Sequence, residues 1–161
     1  MLKETIKSDL NKSIKESNEI IRSTLRMVLA AVLNKEKEKK YKEKAEDEVE
    51  LTEEEMIEVV SSEAKKRKEA IREYEKGGRQ DLAEKEKSEL KILEKYLPEQ
   101  ISEEEIRKLV QQAIEKIKAS EMKDMGKVMA ELMPQVKGKA DGTIVSQIVK
   151  ELLSPKEQDE K

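Results

Sequence analysis

Two carboxylate triplets, Glu53-Glu54-Glu55 and Glu103-Glu104-Glu105, are the first groups in the sequence that could move protons or hold a metal ion. Each follows a hydroxyl residue, Thr52 or Ser102, at the start of a predicted helix. There the hydroxyl and the third Glu complete a capping box, and the whole triplet complements the positive end of the helix dipole. Capping therefore accounts for both. The acidic run Glu46–Glu50 lacks the glycine and ligand spacing of a calcium loop. Gly77-Gly78-Arg79 lacks the further glycines and the preceding strand of a phosphate-binding loop. The chain has no His and no Cys, so the commonest general base, the commonest metal ligand and every thiolate nucleophile are missing. No catalytic residue, no metal site and no cofactor is expected.

The basic groups are more informative. Lys65-Lys66-Arg67-Lys68, with Arg72, spans about two helical turns, so that only Lys65, Lys68 and Arg72 share a face. With Glu69, Glu73 and Glu75 nearby, it reads as a solvated, ion-paired surface. A second group is less generic. Lys137 and Lys139 flank Gly138 in a predicted loop that leads into a helix N-terminus, a place suited to phosphate oxygens. With Lys127, residues 125–140 hold three Lys against one Glu, a net of +2 in a chain of −3. Gly126 sits in a predicted helix at a cost of about 1 kcal/mol relative to Ala. It should permit close packing or the approach of a partner's backbone. Asp9 and Arg26, each beside an apolar stripe, could pair across a hairpin, or Arg26 could snorkel to solvent.

The elements that position these groups are all helical. Of 161 residues, 71 are charged, while Leu, Ile and Val together make 37. That supports a thin aliphatic core. Phe and Trp are absent, so a pocket lined with aromatics is not expected. No run approaches the roughly 20 apolar residues of a membrane span, and there is no apolar signal stretch. A soluble cytoplasmic protein is the expectation.

Apolar residues recur at helical spacing and nowhere alternate with period two for long. Leu2, Ile6, Leu10 and Ile14 mark one stripe, and Ser17-Asn18 offers a break and a cap. Ile21, Leu25, Val28, Leu29 and Val32 mark the next. Residues 35–50 read as a fraying helix end plus a mobile charged linker. Thr52 opens a long helix with Met56, Ile57, Val60, Ala64, Arg67, Ile71 and Tyr74 on one face, stopped by Gly77-Gly78. Asp81-x-x-Glu84 opens another, which ends before Pro98. Beyond it come Ser102 with its capping box, a helix near Lys123–Met133 filled by Met125, Val128, Met129 and Leu132 and ended by Pro134, and a last helix with Ile144, Val145, Ile148, Val149 and Leu152. The predicted fold is all-α with two helical subdomains. Residues 1–97 form an N-terminal long-helix domain, 98–153 a small three-helix bundle and 154–161 a frayed tail.

The stretch DMGKVMAELMPQVKGKADGTIVSQIVKELL resembles the GatB/YqeY family. RSTLRMVLAAVLNKEKEK, SSEAKKRKEAIREY and DLAEKEKSELKILEKYLPEQISEEEI fit the same pattern in the same order, covering about residues 2–153. In that family the unit also forms the C-terminal tail of GatB, the B subunit of the tRNA-dependent amidotransferase, where it helps hold the tRNA. The resemblance implies an all-helical fold in two subdomains. It also implies a tRNA-facing role for Lys127, Lys137, Gly138 and Lys139. GatB's catalytic domain, with its metal and ATP sites, has no counterpart in these residues, so the amidotransferase activity does not carry over.

Three functions follow in order of preference. The first is a non-catalytic module that binds tRNA. The second is an adaptor docking on an amidotransferase or an aminoacyl-tRNA synthetase, whose mark would be an exposed apolar patch. The third is a carbon–nitrogen ligase with glutamine as amide donor, by family association only. The near-balanced charge and the lack of aromatics beyond Tyr96 favour weak, salt-sensitive contact with RNA backbone over base stacking.

Overall fold

A computed structural model describes residues 1–154. They form α1 (Leu2–Lys15), α2 (Glu19–Glu43), α3 (Glu53–Lys76), α4 (Gln80–Glu94), α5 (Glu103–Ile117), α6 (Met125–Val136) and α7 (Gly142–Leu153), with a 3-10 turn, Met122–Asp124, before α6. The fold is all-α, as the periodicity predicts, with no strand among the described residues. No helix among them is long and apolar enough to cross a membrane. The chain divides into two compact units, Met1–Pro98 and Glu99–Lys161. Of the tail expected at 154–161, all but Ser154 lies outside the described residues.

In the first unit, Asn18 caps α2 by accepting a hydrogen bond from the Ile21 amide at 3.2 Å. Thr52 and Glu55 make the predicted capping box on α3. The apolar stripes meet in a core of Ile6, Leu25, Val28, Val32, Met56, Val60, Ala64 and Leu93. Truncating Leu25, which is fully buried, to Ala would cost about 2–5 kcal/mol. The α3–α4 turn passes through Gly78 at φ +70°, a conformation that glycine adopts without strain.

Three expectations for this unit are corrected. The helix end in the charged segment from residue 35 does not fray at once, because α2 continues to Glu43 and stops at Lys44 in the left-handed conformation. The extension is held by ion pairs to other helices. Lys3 Nζ lies 2.6 Å from Glu36 Oε1, and Lys39 Nζ lies 2.7 Å from Glu55 Oε2. Lys40 also donates to the Glu46 carbonyl at 2.9 Å. Second, α4 begins at Gln80 without a side-chain cap. Asp81 instead takes two hydrogen bonds from Arg79, at 3.1 and 2.9 Å. Third, Asp9 does not pair with Arg26. It accepts from the Tyr96 hydroxyl at 2.6 Å, while Arg26 is exposed to solvent.

The second unit packs Ile106, Val110 and Ala113 of α5 against Val128, Leu132 and Val136 of α6 and Val145, Ile148, Val149 and Leu153 of α7. Ser102 and Glu105 cap α5 as predicted. Pro134 does not end α6, which runs on to Val136. A proline forfeits one amide donor, yet the last turn still closes through the Lys137 amide to the Met133 carbonyl at 3.0 Å. The centre of α6 is filled by Val128, Leu132 and Val136. Met125 and Met129 pack only at its margin, and Met133 is 41% exposed. Ile144, expected inside, faces outward, and Leu153 is buried in the last turn.

Candidate nucleic-acid interface

The segment between α6 and α7 is a tight, braced turn. Lys137 leaves the helix at φ −58°, ψ 122°, and Gly138 follows at φ +74°. A β-carbon there would add strain of about 1–2 kcal/mol. The amides of Lys139 and Ala140 both donate to the Val136 carbonyl, at 2.9 and 3.0 Å. From the approach to α5, the Ile101 amide donates to the Lys139 carbonyl at 3.0 Å, and Gln100 Nε2 donates to the Gly138 carbonyl at 2.7 Å. With its carbonyls held from outside and its amides from inside, the turn presents the exposed Lys137 and Lys139 on a fixed backbone.

Lys127 is not part of this arrangement. It is exposed in the first turn of α6, with its ammonium 3.8 Å from Asp124 Oδ1. Ten residues of helix put it about 15 Å from Lys137 along the axis. The structure therefore brings Lys137, Gly138 and Lys139 together and leaves Lys127 at the other end of α6. Asp124 itself is a local cap. Hydrogen bonds from the Ser120 and Glu121 amides, helped by the charges of Lys127 and Lys123, hold its carboxyl below the usual range.

The helix N-terminus beyond the turn is already occupied. Asp141 Oδ1 accepts from the Thr143 amide at 2.8 Å, which places a carboxylate where a phosphate oxygen would sit. An anion at this turn must be met by the lysine side chains instead. Gly126 does not serve close packing within the chain, because a β-carbon built on it meets nothing within 4 Å.

The other basic group comes apart. Arg67 is only 5% exposed. Its guanidinium reaches Glu63 at 3.0 Å, Glu89 at 3.3 Å and Glu86 at 3.9 Å, while Lys66 pairs with Glu63 at 2.6 Å. The run is thus ion-paired, but inward as well as outward, Arg67 and Lys66 meeting Glu63, Glu86 and Glu89 in place of the expected Glu69, Glu73 and Glu75. No group of three or more metal-binding side chains occurs among the described residues. Gln100, which braces the turn, was invisible in sequence. It precedes a capping box, and nothing local shows that it reaches a carbonyl 38 residues away.

Comparison with known proteins agrees with the helical pattern. The chain is 27% identical over 154 residues to the mitochondrial protein "Altered inheritance of mitochondria protein 41" of Pyrenophora tritici-repentis, covering 94% of this chain and 80% of that one. It is 36% identical over 119 residues to the protein of the same name from Kluyveromyces lactis, covering 72% of this chain and 60% of the relative. An uncharacterized Schizosaccharomyces pombe protein is 34% identical over 101 residues, covering 63% of this chain and 76% of that protein. The family model described as Yqey-like protein matches residues 3–153, which takes in both helical units and the braced turn, and the chain therefore belongs to the Yqey-like protein family.

Proposed function

We propose that the chain is a non-catalytic accessory module of translation, cytoplasmic, that contacts tRNA through the α6–α7 turn. The observation that carries this reading is the turn itself. Two exposed lysines flank a left-handed glycine whose carbonyl, like that of Lys139, is fixed by a bond from the α5 approach. A braced backbone anchors two flexible lysine side chains that can reach phosphates, and the entropy of ordering that backbone has already been met on folding. The unit that carries the turn has no aromatic residue. Contact is therefore with backbone and shape rather than with stacked bases.

The test is binding of the full chain to total tRNA at two salt concentrations, beside the Lys137→Ala/Lys139→Ala variant. The expected result is weak binding that falls with salt, and a variant whose salt slope is shallower by about 1–2 units for two lost phosphate contacts. Helix content should not change. Equal affinity and slope in the two proteins would remove the turn from the interface. Absence of binding by the wild type at low salt would end the RNA reading. A second reading, an adaptor docked on an amidotransferase or an aminoacyl-tRNA synthetase, is favoured by exposed apolar side chains, among them Met133 and Ile144 at the ends of α6 and α7 that adjoin the turn.

A further inference from the structure

Between Glu19 and Glu36 the sequence has sixteen consecutive residues without a carboxylate, its longest such stretch, although acids make 37 of its 161 residues. The stretch carries Arg22, Arg26 and Lys35 and forms the first two-thirds of α2. Leu25, Val28 and Val32 point into the core. At 100° per residue, Ser23, Met27, Ala30 and Asn34 lie on the opposite side. The exposed positions here are Ser23, Arg26, Met27, Ala30, Leu33 and Asn34, with Arg26 the one charge among them. Met27 and Leu33 are each 50% exposed, Met27 also accepting at its sulfur from Arg67 Nη2 at 3.5 Å.

Helix α3 of the same unit shows what an ordinary solvent face looks like in this chain. From Glu53 to Lys76 its exposed positions are all charged apart from Ser62. The contrast within one unit marks the α2 face as a contact surface rather than a general property of the protein. Beside it lies a separate cleft of about 400 Å³ between α2 and α3, whose lining mixes Ala31 and Val59 with Glu38, Glu58, Glu63 and Lys66, so the acid-free surface ends at its edge.

The charges select the occupant. Arg26 makes no ion pair among the described residues, and Arg22 has only Glu19, at 3.8 Å. A symmetric pair of copies would set this face against itself, bringing two acid-free, positively charged surfaces together. Nucleic acid would meet the arginines but leave Met27, Ala30 and Leu33 unused, and the face has no aromatic for stacking. A helix with an apolar stripe and flanking carboxylates would use both features. We propose that the face of α2 from Ser23 to Asn34 docks an acidic amphipathic helix of a partner protein, its apolar stripe on Met27, Ala30 and Leu33 and its carboxylates on Arg22 and Arg26. This surface is independent of the tRNA reading of the α6–α7 turn.

The probe is a synthetic amphipathic helix with a leucine stripe and glutamates on both flanks, titrated into the full chain by NMR, beside a twin with lysines in place of the glutamates. Saturable binding of the acidic peptide is expected, with shifts centred on Met27, Ala30 and Leu33 and with affinity about tenfold above that of the basic twin. Leu33→Glu and Arg26→Glu, both at exposed positions that should leave helix content unchanged, should each weaken binding by about tenfold. Equal binding of the two peptides, shifts elsewhere, or no binding would overturn the proposal. Two further results would do the same: concentration-dependent dimerisation abolished by Leu33→Glu would assign the face to a second copy, and tRNA-induced shifts at these residues would assign it to nucleic acid.

Discussion

Residues 1–98 bury five polar or charged side chains, Ser13, Thr24, Glu63, Arg67 and Glu89, whereas every buried side chain described in the second unit is aliphatic. The difference follows from geometry. Helices α3 and α4 pack along their lengths with charged residues on their meeting faces, and Arg67 balances carboxylates from both. The three helices of the second unit expose their charges and share one apolar centre. Both solutions satisfy buried groups, since no buried side-chain nitrogen or oxygen described lacks a hydrogen-bond partner. They fail differently. An aliphatic core loses stability in proportion to the volume removed, whereas a buried ion cluster collapses when one partner is removed from the rest.

The largest expected effect tests that statement. Arg67→Ala leaves Glu63 and Glu89 buried without their guanidinium and should destabilise the first unit by about 3–5 kcal/mol. Replacing all three residues by Arg67→Met, Glu63→Leu and Glu89→Leu converts the site to the aliphatic kind and should recover most of the loss. Hydrogen exchange on the full chain reads each unit separately. Lost protection in α3 and α4, with α5 to α7 unchanged, is the expected pattern. Little change from the single substitution would mean that water reaches the cluster and that the two interiors do not differ in kind.

The same contrast explains what could be read in advance. Both capping boxes were legible, because Thr52 and Glu55, like Ser102 and Glu105, lie within one turn of each other. Helical periodicity placed most of the aliphatic core. The polar contacts of the first unit could not be read so easily, since Asp9 meets Tyr96 across 87 residues and Arg67 meets Glu89 across 22. Nothing local distinguishes those partners from the many other carboxylates. In the candidate site, Lys137, Gly138 and Lys139 stay together because they are adjacent in sequence. Lys127 falls away for a reason that was legible, as ten residues of helix carry it about 15 Å off.

A smaller effect separates two glycines of the second unit. Gly126 lies in α6 with open space where a β-carbon would sit. Gly126→Ala should therefore stabilise the unit by up to about 1 kcal/mol. Gly138, at φ +74°, needs its freedom, and Gly138→Ala should cost about 1–2 kcal/mol. Thermal unfolding of the two variants gives opposite shifts in Tm. If both shifts have the same sign, the turn is not held in the left-handed conformation, and the rigid presentation of Lys137 and Lys139 goes with it.

The finest comparison is between the two capping boxes, which have the same chemistry in different surroundings. Glu55 is held below the usual carboxylate range first by the hydrogen bond from Lys39 and then by the Thr52 amide. Glu105 is lowered by the Ser102 amide and hydroxyl, with no lysine bonded to it. In both, the folded value lies below the unfolded one of about 4.3. Their contribution is therefore complete above that unfolded value and is lost as pH falls through the folded one. Lys39 is raised by the same contact, so its share holds through neutral pH and is lost only as pH rises through its raised value. In Lys39→Met, Glu55 should titrate closer to the ordinary range while Glu105 stays where it is, which carbon-13 NMR of the two carboxyl groups would resolve. A Glu55 that does not move would show that the amide alone sets its charge. The extension of α2 to Glu43 would then need another anchor, since the bond from Lys39 to Glu55 is one of those that draw it into the fold.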